Sequence, residues 1–139
     1  MAEMDQGEID AFLAEPRLCH FATVDAKGHP RVRPLWFLWK DGEFWFTTRL
    51  RRRFTGRDVA GGSAVAVSIA SETRPYKAVV AHGSPEVVDR TREMLLAIST
   101  RYGEAPGKRW TAMAMREPDR ILYRMKPEKL FSWDYGKRG

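Results

Sequence analysis

The sequence predicts an α+β protein that is mainly β: six to seven mostly antiparallel strands closing into a barrel, with short helices inserted between them. Three observations predict it. Residues 17–48 hold three strand-like runs in succession with no helical pattern between them, which disfavours parallel crossover units. An Asp41-Gly42 step lies between two aromatic, apolar runs at 31–39 and 43–48, a strong short-range hairpin signal. Further strand-like runs at 64–70, 76–88, 121–125 and 130–133 alternate with short amphipathic stretches.

Taken in order, residues 5–15 place Ile9, Phe12 and Leu13 at spacings of three and four, as a helix does, and Pro16 stops it. A strand at 17–24 leads through the turn Asp25-Ala26-Lys27-Gly28 into the run at 31–39. Period two puts Arg31, Arg33, Leu35, Phe37 and Trp39 on one face of that run and Val32, Pro34, Trp36 and Leu38 on the other. Neither face is purely polar, so both are partly covered. Pro34 cannot donate to a ladder, which places it at an edge or a bulge. With 43–48 these runs form a three-stranded meander.

A short helix at 55–60 ends at Gly61-Gly62, and 64–70 alternates Val65, Val67 and Ile69 with small residues. The run at 76–88 reads as a long strand bent at Gly83-Ser84-Pro85. Met94, Leu95 and Ile98 mark a helix over 89–102, with Asp89 as its N-cap and Gly103 as its stop. A second helix at 108–116 turns Trp110, Met113 and Ala114 inward, and strands at 121–125 and 130–133 close the chain.

At 139 residues, 43% hydrophobic and 12% aromatic, the chain fits one domain over 1–139 with a real core. No apolar run approaches the roughly 18 residues of a membrane span. The acidic start, MAEMDQGEID, does not read as a signal peptide, so a cytoplasmic protein with no membrane partner is expected. Cys19 is the only cysteine, which excludes an internal disulfide and reads as a buried, inert thiol. His20, His29 and His82 lack the close pairing of a metal site, and none is assigned. A net charge of +6 favours anionic partners.

The chemistry concentrates where Thr47-Thr48 runs into Arg49, Arg51, Arg52, Arg53 and Arg57. Guanidinium forks match phosphate oxygens bidentately, so a phosphate monoester is the natural guest. The bland alternative is a solvated charged face. Nucleic-acid binding through Arg49 to Arg57, with Trp39 and Trp45 as stacking groups, is disfavoured because those aromatics read as core. The sequence shows no nucleophile with a base and an orienting partner. Tyr76, Lys77 and His82 are the candidates should a proton donor be needed.

These pieces, in this order, carry a resemblance: Ala22-Thr23-Val24-Asp25 with Gly28 and Pro30, Arg33-Pro34-Leu35-Trp36-Phe37, Phe46-Thr47-Thr48, Val65 to Ile69, Val79 to Gly83, and Trp133-Asp134-Tyr135-Gly136. Together they resemble the pyridoxamine 5'-phosphate oxidase-like split β-barrel, the superfamily of flavin and deazaflavin oxidoreductases. The resemblance implies a homodimer with two cofactor sites at the subunit interface. It implies that the cofactor phosphate sits beside Thr47, Thr48, Arg52 and Arg53. Arg31 and Arg33 follow on the neighbouring strand, Arg31 at a position where the oxidases use an arginine near the cofactor. Trp36 lies in the Pro-x-Trp segment shared by many deazaflavin-dependent members and would flank the ring system; core packing is the alternative for it.

The family commonly has a lysine in the basic turn, and this chain has none there, so either Arg53 takes its place or the register is shifted. Pro-x-Trp and the excess of arginine favour coenzyme F-420, a deazaflavin with a phosphate and an acidic tail, over FMN. The expected function is a reductase passing hydride to a small unsaturated or electrophilic substrate. The alternatives are an FMN-dependent oxidoreductase or oxidase, and a split-barrel protein that binds a cofactor or tetrapyrrole without turnover. Oxidation of pyridoxamine phosphate itself is disfavoured, because the closing KRG lacks the arginine-containing tail of the oxidases proper.

Overall fold

The structure, a computed structural model, describes residues 2–50 and 55–137. Helix α1 (Gln6–Ala14) opens on a capping box: Asp5 accepts from the Glu8 N–H at 2.8 Å while the Glu8 carboxylate accepts from the Asp5 N–H at 3.0 Å. Its stripe of Ile9, Phe12 and Leu13 is buried in the barrel.

Strands β1 (Cys19–Val24) and β2 (Pro30–Leu35) pair along their whole length, with Pro34 opposite His20. β2 is an edge strand, which is where a residue without an N–H can be tolerated. The run at 31–39 is not one strand. It leaves the ladder at Trp36-Phe37 and resumes as β3 (Leu38–Lys40) in a different sheet. The cause lies at Phe37, which is fully buried and whose N–H donates to the Tyr102 hydroxyl at 3.0 Å instead of to a neighbouring strand. That hydroxyl in turn donates to the Arg17 carbonyl at 2.7 Å. The expected three-stranded meander is therefore split between two sheets.

The Asp-Gly hairpin forms as read. Asp41 and Gly42 have φ of 53° and 78°, the paired positive values of a type I′ turn, and they set Lys40 opposite Glu43 at the start of β4 (Glu43–Arg49). After helix α2 (Thr55–Ala60) come β5 (Val65–Ala70) and β6 (Lys77–Gly83). The bend read at Gly83-Ser84-Pro85 carries the chain across to β7 (Glu86–Val88) in the other sheet. Gly83 is required there, since an added Cβ would lie 2.9 Å from the Met125 side chain and 3.1 Å from the Lys126 carbonyl oxygen.

Helices α3 (Arg92–Ser99) and α4 (Glu104–Ala114), joined by a 3-10 turn, precede β8 (Arg120–Met125) and β9 (Lys129–Asp134). Two antiparallel sheets result, ordered β2-β1-β5-β6-β9 and β3-β4-β8-β7. Two of the expected seven strands cross between the sheets, so seven runs become nine strands.

Between the sheets, Phe21, Phe44, Phe46 and Tyr123 form the aromatic centre, with Phe46 4.8 Å from Phe21 and 5.5 Å from Tyr123 between ring centroids. Outside the four-stranded sheet, α3 and α4 bury Leu95, Ile98 and Ala114 against Leu122, Trp36, Trp45 and Trp110. The two helices are tied by Ser99 Oγ, 3.0 Å from Thr111 Oγ1 and donating to the Gly107 carbonyl at 3.0 Å.

Two details correct the sequence reading. Thr91, not Asp89, caps α3, because the helix begins at Arg92 and the Thr91 hydroxyl accepts from the Met94 N–H. In α4 the inward stripe is Gly107, Thr111 and Ala114, which leaves Met113 56% exposed. No described helix is long and apolar enough to cross a membrane.

Because Phe46 touches both halves of the aromatic centre, Phe46→Ala is expected to cost about 3–5 kcal/mol, read by chemical denaturation. A smaller loss would mean that the barrel interior can collapse around the deletion.

Candidate functional site

The two sheets part between β2 and β4. A cavity of about 340 Å³ lies there, lined by Arg33, Pro34 and Leu35 from β2, Thr47, Thr48 and Arg49 from β4, Thr55 of α2 and Arg120 of β8. Arg33, Thr47 and Thr48, read from the sequence as cofactor contacts, are thus brought together. Arg52 and Arg53 lie outside the described residues.

Alternation along β4 gives its two threonines different roles. Thr47 is half-buried, and its hydroxyl donates to the Ile121 carbonyl at 2.8 Å. Thr48 shares the inward face with Phe44 and Phe46, is 8% exposed, and its Oγ1 has no hydrogen-bond partner among the described residues. The Tyr123 hydroxyl, fully buried, also lacks one. Burial pushes the Tyr123 phenol above its ordinary pKa.

The arginines are sorted by the carboxylates that strand pairing brings to them. Pairing of β4 with β8 sets Arg49 opposite Arg120, and the Leu50 N–H donates to the Asp119 carbonyl at 2.7 Å. Arg49 is then held by Asp119 at 3.0 Å and Glu117 at 2.8 Å, and the hydrogen bond it donates to Asp119 raises its pKa. It is charge-compensated rather than reserved for a ligand. Arg120 meets Glu117 at 2.7 Å and lies 5.0 Å over the Trp110 ring, while its buried Nε has no hydrogen-bond partner among the described residues. Arg120 was not legible as a site residue, because only the β4–β8 register brings it to Thr48.

Arg31 faces a second cavity, of about 660 Å³, at the β1–β2 turn and the end of α2. It bonds Asp25 at 2.8 Å and lies 3.7 Å from Asp58, which accepts from the Thr23 hydroxyl at 2.7 Å. Arg31 and Arg33 are therefore separated by the acidic partners that Arg31 finds. Trp36 joins neither cavity: its ring stacks on Tyr102 at 4.9 Å and meets Trp110 at 5.3 Å.

The proton-donor candidates also lie elsewhere. Tyr76 is exposed, Lys77 is 4.0 Å from Asp134, and His82 lies against Phe131 at 5.7 Å. Trp39 donates to Asp10 at 2.8 Å and packs on Phe44, and Trp45 sits beneath Arg124, so neither forms an open stacking platform. Cys19 is buried, and its surroundings push the thiol pKa up to about 12. Among the described residues, no group of three or more His, Cys, Asp and Glu is placed to hold a metal.

A barrel of two antiparallel sheets that part at a cavity lined by arginine and threonine defines the split-barrel class. The chain belongs to the pyridoxamine 5'-phosphate oxidase family, whose family model matches residues 6–134. Among solved structures it is similar to a conserved hypothetical protein from Mycobacterium tuberculosis, with a TM-score of 0.77 and 22% identity over 98% of this chain and 90% of that one. It is similar to the heme storage protein HutZ from Vibrio cholerae, with a TM-score of 0.72 and 23% identity over 91% and 92% of the two chains. An F-420 reductase matches with a TM-score of 0.69 and 26% identity over 87% and 94%. No curated protein matches the chain.

The Asp25 carboxyl is held down to about 2, first by the Arg31 guanidinium and then by the His29 backbone N–H. A carboxyl whose folded pKa is depressed adds stability above its ordinary value of 3.8, and that contribution is lost as the pH falls toward 2. The melting-temperature gap between wild type and Asp25→Asn should accordingly be present at pH 6 and shrink between pH 4 and pH 2. A gap independent of pH would show that the Asp25–Arg31 pair contributes nothing through its charge.

Proposed function

We propose that this protein is an oxidoreductase that binds a phosphorylated flavin or deazaflavin at the cavity between β2 and β4, with coenzyme F-420 favoured over FMN. The observation that carries the reading is the buried Thr48 hydroxyl, unpartnered at the wall of a cavity that Arg33 and Arg120 also line. A buried polar group left unpaired is costly, and an anionic oxygen in the cavity would satisfy both Thr48 Oγ1 and the Arg120 Nε. The cavity volume falls within the ordinary range of small-molecule sites.

In this reading Arg33 and Thr48 hold the phosphate, with Thr47 shaping the wall and Arg52 and Arg53 also contributing. Arg31 acts from the neighbouring cavity and Trp36 from the helical layer. When bound, the cofactor supplies hydride chemistry. The chain's own residues orient it and keep water from the reacting face. The proposed substrate is a small unsaturated or electrophilic molecule. The F-420 reductase among the similar structures and the Pro34-Leu35-Trp36 segment support the deazaflavin over FMN.

The reading includes a cytoplasmic homodimer. The outer face of the five-stranded sheet carries no helix and presents Val24, Val32 and Phe131, respectively 42%, 64% and 49% exposed. Ladder register places Val32, Ala22, Ala66, His82 and Lys129 in one row and Pro34, His20, Ser68, Val80 and Phe131 in the next. The exposed Val24, Val32 and Phe131 on this face are suited to an isologous contact with a second copy. A second reading, binding without turnover, is favoured by the heme storage protein among the similar structures and by the absence of an acid–base pair among the residues lining the cavity.

The decisive measurement is the absorption spectrum of the purified protein before and after adding FMN and F-420. A yellow preparation would favour FMN. Titration followed by fluorescence quenching should show F-420 binding, weakened roughly tenfold or more by Arg33→Ala or Arg53→Ala. Binding no tighter than millimolar, or variants that bind as well as wild type, would sink the F-420 assignment. Binding without reduction across enones, quinones and bilins would favour the non-catalytic reading. Val32→Arg should convert a dimer to a monomer in analytical ultracentrifugation, and a wild type that sediments as a monomer would exclude the dimer.

A further inference from the structure

We propose that Tyr123 is a positioning residue for the cofactor's anionic group, acting through Thr48 as the inner half of a two-hydroxyl relay. The inference rests on the cavity between β2 and β4 being the cofactor site. It starts from register: β4 and β8 place Phe46 opposite Tyr123 and Thr48 opposite Ile121. Thr48 and Tyr123 are therefore diagonal neighbours on the inward face, a spacing that long aromatic side chains bridge. The Tyr123 ring is fixed by Phe21 at 5.8 Å and Phe46 at 5.5 Å. Both hydroxyls are more than nine-tenths buried, and neither has a hydrogen-bond partner among the described residues.

The two hydroxyls are not hydrogen-bonded to each other in this structure, and counting protons shows what a bond formed between them on ligand binding would do. Tyrosine and threonine hydroxyls each have one proton to donate and can accept in return. If Tyr123 donates to Thr48, the Thr48 proton must point elsewhere, and Thr48 lines the cavity. Thr48 then becomes an obligate donor toward the ligand. The neighbouring Thr47 cannot take that role, because its proton is committed to the Ile121 carbonyl. Burial keeps the phenol protonated and so able to serve as the source of the chain.

The relay selects a ligand group that only accepts hydrogen bonds at this point, a phosphate or carboxylate oxygen. It disfavours a hydroxyl or amide that needs to donate. Chained hydrogen bonds polarise one another, so the Thr48 contact should be stronger with Tyr123 behind it.

The test uses the full-length protein with FMN and F-420 as probes and riboflavin as the phosphate-free control. Tyr123→Phe keeps the ring and removes one unpaired buried oxygen, so the melting temperature of the free protein should hold or rise. Affinity for the phosphorylated probe should nevertheless fall about fivefold. Riboflavin binding should not change. In the Thr48→Val background the Tyr123→Phe change should have no further effect, whereas in Thr48→Ser it should weaken binding as in wild type.

If Tyr123→Phe leaves phosphorylated-probe affinity intact while Thr48→Val weakens it, the relay is wrong and the site stands. The relay is also wrong, with the site intact, if Tyr123→Phe weakens binding equally in the Thr48→Val background. If Thr48→Val has no effect, or neither probe binds wild type, the site assignment falls and the relay falls with it.

Discussion

The fold depends on where one peptide sends its hydrogen bond. At Phe37 the backbone N–H leaves the ladder and bonds to the Tyr102 hydroxyl, while the phenyl ring drops into the barrel with no exposure. This departure lets residues 30–35 belong to one sheet and residues 38–40 to the other. Arg101 reinforces the junction, lying 4.6 Å over the Phe37 ring and donating to the Leu13 and Glu15 carbonyls at the end of α1. The Tyr102 hydroxyl thus serves both the Phe37 N–H and, at 3.3 Å, the Phe37 carbonyl where the sheets separate beside β2. The cavity is a by-product of that separation.

Charge is distributed around the cavity more sparingly than the run of arginines implies. Strand pairing delivers Glu117 and Asp119 to Arg49 and Arg120, and the β1–β2 turn delivers Asp25 to Arg31. Each carboxylate fixes a guanidinium in place and reduces its pull on an incoming anion. In the proposed site, selectivity would then fall to geometry and to uncharged donors such as the Thr48 hydroxyl, which has no hydrogen-bond partner among the described residues.

Much of this could be read from residue patterns because the signals were local. The Ile9, Phe12 and Leu13 spacing, the Asp41-Gly42 turn, the Val65-Val67-Ile69 alternation and the kink at Gly83 each depend on neighbours a few residues apart. The chain break at Phe37 could not be read, because it is made by Tyr102, sixty-five positions further on. Met113 was turned the wrong way because small residues, Gly107 and Thr111, face inward where α3 crosses closely. At the site, Thr47, Thr48 and Arg33 were legible from their strands. Arg120, and the commitment of Arg31 to Asp25 and Asp58, were not, since each follows from long-range pairing that a single sequence does not display.

The type I′ turn has a consequence far from its own position. Side chains on a strand alternate faces, so the two residues at the hairpin tip decide which threonine of β4 looks into the barrel. Thr48 lies about 20 Å along the strand from Gly42. Adding a single residue at that tip would pit the hairpin's phase against the β4–β8 ladder. If the hairpin prevailed, the committed hydroxyl of Thr47 would replace the open one of Thr48, an inversion of donor chemistry caused by a change in loop length at the opposite end of the molecule.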